Sequence, residues 1–204
     1  MHRRLWLAMF LSTGHAQMAR FKPLPESEMT EAQRKAAQDL ASGPRGHMNP
    51  HGPNALLLRS PDLMSRTQKV GEYLRYQSSL PARLNEFAIL VTARQWNAQV
   101  EWIAHHPLAL KAGLDPSVAE DLAQDKRPAA MKEDEAAIYQ FCKELHETKG
   151  VSDATFKAVA DRFGERGVID LIGLTGYYTM LAMVLNVGQQ PLPGGVTPPL
   201  PMLK

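Results

Sequence analysis

Glu101 and His105 carry the strongest chemical signal in this chain. They lie four residues apart in QVEWIAHHPLALK, and Glu86 precedes Glu101 by fifteen residues. On a helix, a four-residue spacing stacks two side chains on one face. A carboxylate beside an imidazole is the smallest unit that moves a proton near neutral pH, and a second carboxylate can hold that unit in one protonation state. The competing reading is an exposed i,i+4 pair that adds only about 0.3 kcal/mol to its helix. His106 points about a hundred degrees away from His105 and reads as structural or exposed. Trp102 reads as core or pocket wall.

Three further residues are candidates for holding a substrate. Arg83 and Arg94 share a helical stripe with Glu86, and a guanidinium grips a carboxylate with two parallel hydrogen bonds. Each could equally close an internal salt bridge. His51 lies in the loop GPRGHMNPHGPN, from Gly43 to Asn54, where it is either a lid residue or a solvated histidine. His47 and His51 together with Glu101 and His105 also offer imidazole and carboxylate ligands of the kind zinc or iron takes. They would converge only if the loop folded over the second half of the motif. The preferred reading needs no metal and no cofactor.

Composition narrows the classes. The formal net charge is +2, and no Lys/Arg cluster is interleaved with aromatics, so the footprint of a nucleic-acid binder is missing. One cysteine, Cys142, excludes an internal disulfide framework and any CxxC site. It sits in the apolar helical stretch AAIYQFCKEL and reads as a buried, inert thiol. At 204 residues, 44% of them apolar, the chain suits one well-buried domain.

The elements that must position these residues read as helices with short breaks, an all-α fold. Residues 1–17 form an N-terminal extension with a basic start and the apolar run LWLAMFL. That run is either an over-extended start before Met18, which implies a cytoplasmic protein, or an export signal, which implies a periplasmic one. A helical domain spans 18–188. Its helices run from Glu31 to about Ser42, from Pro61 to about Ser78 and onward from Pro81. Gly113 closes the helix carrying His105, and Asp115-Pro116 open the next. Further helices cover Glu133–Glu147 and Ser152–Phe163. Residues 168–187 contain a single charge, Asp170, and are long enough to cross a bilayer. The cost of that charge in hydrocarbon favours a buried helix over a membrane span. Residues 189–204 form a Pro-rich, extended tail that lies over its own domain, lies over a neighbouring subunit, or stays free.

The stretch from Glu86 to Gly113 resembles the carboxymuconolactone decarboxylase superfamily, which includes the alkylhydroperoxidase D proteins. The peroxidase branch of that family carries a Glu, eleven residues, CxxC, three residues and a His. On this chain the pattern falls on Glu86, on Ala98 and Glu101 in place of the cysteines, and on His105. EWIAHHPLALKAGL is similar to the cysteine-less branch, and FKPL, ALLLRSPDLM and GYYTMLAMVLN extend the likeness more weakly. The resemblance implies a helical subunit assembled into trimers or hexamers, with a turn near Asn97 that no Gly or Pro marks. Pro107 would remove a backbone bond to Ile103 and kink its helix. Without the two thiols, disulfide-linked peroxidase chemistry fails. What the resemblance leaves is a cofactor-free lyase acting on a small anionic lactone or enolisable acid. His105 would then be general acid/base, Glu101 its partner or a second proton-transfer group, and Glu86 the orienting carboxylate. The alternatives are a catalytically silent oligomeric scaffold or a metal-dependent enzyme.

Overall fold

The computed structural model describes residues 19–194 and 196–201, so the two readings of residues 1–17 fall outside the described residues. Those described residues are all-helical, with no strand among them. In chain order the helices are α1 (Glu31–Ala41), α2 (Pro53–Leu57), α3 (Pro61–Tyr76), α4 (Ala82–Gln95), α5 (Gln99–Lys111), α6 (Pro116–Ala123), α7 (Glu133–Thr148) and α8 (Asp153–Gly188). The short helix α2 lies at the end of what reads from sequence as one loop. Pro53 occupies its first turn, where a missing N–H costs nothing.

Local chemistry explains most of the boundaries. Thr30 accepts from the Gln33 backbone while the Gln33 side chain returns to the Thr30 N–H, closing a capping box at α1. Asp115 caps α6 through the Ser117 N–H at 2.8 Å. Gly113, at φ 95°, ends α5 in a conformation that suits glycine. Within α8, Gly164 has φ 68° and ψ 177°, which breaks the element into the two helical segments expected from sequence.

Helix α4 is the centre of the molecule. Every residue from Phe87 to Arg94 is buried, and it packs against α5, α7 and α8. A helix enclosed on all sides is apolar all round, and FAILVTA is. The second half of α8 covers one flank through Leu171, Leu174, Tyr178, Leu181 and Leu185. Asp170 is 5% exposed yet fully engaged. Its carboxylate accepts from Ser79 N and Oγ, both at 2.8 Å, and from Tyr73 Oη at 2.9 Å. Burial pushes this carboxyl up, but those hydrogen bonds and the nearby Arg166 outweigh it and hold the pKa below its ordinary value. The one charge of this apolar helix thus bolts α8 to the end of α3. The helix is long and apolar enough to cross a membrane, and its most apolar stretch is 56% buried within the fold.

The Pro-rich tail docks on its own subunit. Leu200 is 2% exposed in the core, and its backbone N–H and C=O exchange hydrogen bonds of 2.9 and 2.7 Å with the Gln99 amide.

Candidate active site

Helices α4 and α5 meet through a tight turn at Trp96–Asn97–Ala98. Asn97 sits at φ 49°, a left-handed conformation that asparagine tolerates better than most residues. The turn lays α5 antiparallel along α4 and sets Glu86 opposite the second turn of α5. Pro107 does not end α5, which continues to Lys111.

The three sequence-derived residues come together. His105 Nδ1 stands 2.7 Å from Glu86 Oε2, and His105 Nε2 stands 3.4 Å from Glu101 Oε2. The side chains of Glu86, His105 and Glu101 are 13%, 6% and 4% exposed. The solvated i,i+4 pair is therefore not what this chain contains. Tyr178 presents an edge-on ring to His105, with centroids 5.0 Å apart.

Glu101 and His105 line a cavity of about 260 Å³ between α3, α5, α8 and the loop that follows α1. Burial raises the Glu101 carboxyl above its ordinary value, against the opposing pull of His105, Arg75 and Arg45. Its Oε1 is buried without a hydrogen-bond partner. A proton on Glu101 lowers the cost of that burial, and it makes the carboxyl a donor. Tyr178 is held well above its ordinary pKa by burial, so it stays neutral.

The cations in this cavity are Arg45 and Arg75. Neither was singled out from sequence. Burial works against the charge of Arg75, but Tyr178, Tyr76, Glu86 and Glu101 outweigh it and raise its pKa. A signal for Arg75 was present. It lies eleven residues after the buried Met64, on the core-facing register of α3. Arg45 lies in an irregular loop, where no periodicity identifies an inward side chain.

The two arginines expected from sequence lie elsewhere. Arg83 pairs with Asp134 at 2.6 Å and with Glu135, tying α4 to the start of α7. Arg94 is 3% exposed and donates to Asn97 Oδ1 and the Pro201 carbonyl, each at 2.7 Å. Both take the internal, structural role, because their positions on α4 face α7 and the tail rather than the cavity. His51 does not line the cavity, whereas its loop neighbours His47 and Asn49 do. Among the described residues, no group of three His, Cys, Asp or Glu side chains is arranged to hold a metal ion. Cys142 is buried, with its thiol pushed up to about 12 by desolvation and Thr175 Oγ1 3.7 Å away. Trp102 is core and stacks on His106.

No family model matches the sequence, and no curated protein matches it. Solved structures do. An uncharacterized peroxidase-related protein from Ralstonia eutropha JMP134, described as an alkylhydroperoxidase AhpD core, superposes with a TM-score of 0.69 at 16% identity, covering 85% of this chain and 92% of that one. An uncharacterized peroxidase-related protein from Silicibacter sp. TM1040 gives a TM-score of 0.65 at 16% identity, over 83% and 86% of the two chains. The apo debrominase Bmp8 gives 0.65 at 11% identity, over 84% and 91%. Identities this low speak to fold alone, and the helical order, the α4–α5 hairpin and these superpositions agree: the chain has the alkylhydroperoxidase D-like fold.

Proposed function

We propose that this protein is a cofactor-free enzyme, decarboxylase-like in its chemistry, that moves a proton on a small anionic lactone or enolisable acid. The observation that carries this reading is the buried Glu86–His105–Glu101 string at the wall of a cavity that also holds two arginines. Glu86 accepts from Nδ1–H and fixes the imidazole tautomer, so Nε2 is the nitrogen left to exchange a proton. Glu101, whose carboxyl burial raises above its ordinary value, shares that edge of the ring and can replenish it when it carries a proton. In a decarboxylation the C–C bond to the carboxylate breaks, CO2 leaves, and the electron pair stays on the substrate as a dienolate. Arg75 favours that anion, and the proton delivered from the His105 edge completes the reaction. A debrominase among the proteins of this fold supports the idea that the scaffold hosts enzymes.

We also propose that the chain assembles with copies of itself. Ile169, Ile172, Met183 and Val187 leave an apolar stripe exposed along α8, and the resemblance of the sequence points the same way.

Loss of 4-carboxymuconolactone, followed by ultraviolet absorbance together with CO2 release, tests the reaction. Turnover by the unaltered protein that disappears in His105→Ala is the expected result. A folded protein that leaves the lactone untouched would remove this substrate and return the scaffold reading to the front.

A further inference from the structure

We propose that Arg75 anchors one substrate oxygen, a carbonyl conjugated to the carbon that His105 protonates. The site therefore takes flat, enolate-like or phenolate-like anions of about one ring. The inference rests on the proton-transfer reading for the His105 edge and narrows its substrate class.

Arg75 lies in the last turn of α3 and lines the cavity together with Glu101 and His105. Among the described residues, nothing accepts a hydrogen bond from its guanidinium, and its Nε is buried without a partner. Arg83 and Arg94, in contrast, spend their donors on carboxylates, an amide and a carbonyl of the chain itself. Arg45, the other cation of the cavity, is engaged with the Tyr177 hydroxyl. Glu86 and Glu101 both act on the Arg75 charge, yet neither closes an ion pair with it. The charge is thus balanced from a distance while the N–H donors stay unspent. Buried donors in folded proteins are nearly always paired, so the missing acceptor is a ligand atom.

Two tyrosines set the position of that ligand. The guanidinium carbon of Arg75 stands 5.2 Å from the centroid of the Tyr76 ring, a cation–π contact that steadies the group without using a donor. Tyr178 neighbours both ends of the site: its ring is 5.0 Å from that of His105, and it acts on the Arg75 charge. One aromatic side chain is therefore next to both the anchor and the proton carrier. With a cavity of about 260 Å³, just below the range of roughly 300–1,000 Å³ typical of sites for drug-sized ligands, a ligand of about one ring reaches from one to the other.

The chemistry follows from that placement. When the C–C bond to the departing carboxylate breaks, CO2 leaves and the electron pair passes through the conjugated bonds to the carbonyl oxygen. The Arg75 donors meet that oxygen as its charge develops. The proton from the His105 edge then goes to carbon, and the carbonyl re-forms. An acid with no carbonyl conjugated to its reacting carbon places no charge at Arg75 and is not a substrate.

Binding of 4-nitrophenol to the full chain, followed by visible absorbance at a pH where the free ligand is mostly protonated, tests the anchor. The readout needs no turnover, so a protein that leaves every lactone untouched but binds the phenolate would lose the reaction and keep the anchor. The unaltered protein should hold the ligand as its yellow anion and bind the methyl ether 4-nitroanisole at least about tenfold more weakly. Arg75→Gln should weaken the phenolate by at least the same factor, and the surface variant Arg66→Gln should bind as the unaltered protein does. Circular dichroism confirms that each variant is folded. If Arg75→Gln is not, Arg75→Met, which keeps the apolar stem, takes its place. An arginine that serves only as a counter-charge to the two glutamates would leave the ionisation of the ligand unchanged. Binding as the neutral phenol, equal binding of the ether, no binding, undiminished binding by the Arg75 variant, or tighter Arg75-dependent binding of benzoate than of the phenolate would overturn the proposal.

Discussion

At the scale of single residues, the site depends on one imidazole held between two carboxylates. His105→Ala removes the proton carrier and should lower kcat by about 10²–10⁴-fold. Glu86→Gln keeps a side chain of the same shape 2.7 Å from Nδ1 but cannot hold the imidazolium, so it should lower kcat more than it changes KM. Steady-state kinetics of the two variants check both expectations. Glu101 gives a pH signature. Its carboxyl, ordinarily near 4.5, is raised by burial, so above that pH the folded chain binds more protons than the unfolded one. Stability contributed by this group therefore falls as pH rises from 4.5 toward the folded pKa. Glu101→Gln cannot ionise, so the Tm of the variant minus that of the unaltered protein should grow as pH rises above about 4.5. A difference that stays flat or shrinks in thermal melts would refute a raised Glu101. The Glu101–His105 pair was legible because four residues on one helix place side chains together whatever the tertiary fold. Glu86 was reached through the spacing of a family pattern. Arg45 and Arg75 were not legible, because where a long flexible side chain ends is decided by what the other helices leave open.

At the scale of elements, the α4–α5 hairpin places Glu86 against His105, and its turn carries almost no sequence signal. Asn97 enters the left-handed region where a glycine would have been recognisable. The tail secures the same hairpin. Gln99, at the first turn of α5, grips Leu200 from both sides, while Arg94 holds the Pro201 carbonyl. Leu200→Ala should cost about 2–4 kcal/mol of stability by denaturant titration, the ordinary range for emptying a buried leucine position. A cost below about 0.5 kcal/mol would mean that the tail is not part of the fold. The break in α8 is the opposite case, since the phenylalanine-glycine pair at 163–164 is readable as a helix end. At φ 68° and ψ 177°, Gly164 occupies backbone space that other residues pay heavily to enter. Gly164→Ala should destabilise by about 1–3 kcal/mol, although a Cβ there meets nothing within 4 Å. The penalty would be purely one of backbone conformation.

At the scale of the whole molecule, helical periodicity alone was enough to give the all-α class, and the apolar stretch 168–187 was correctly read as core. That reading missed half of its geometry. The helix buries one face against α4 and exposes Ile169, Ile172, Met183 and Val187 on the other, with Ile169 66% and Val187 59% exposed. Sequence cannot separate a helix enclosed by its own chain from one completed by another copy, since both are apolar all round. Ile172→Glu should shift the protein toward monomer in analytical ultracentrifugation while leaving the melt of the subunit nearly unchanged. The central claim, that the Glu86–His105–Glu101 string delivers a proton to carbon, is tested most directly by turning over 4-carboxymuconolactone in D2O and reading deuterium in the product by NMR. The account predicts one deuterium per turnover at the protonated carbon, and loss of both turnover and incorporation in His105→Ala. Incorporation by His105→Ala at the rate of the unaltered protein would contradict it.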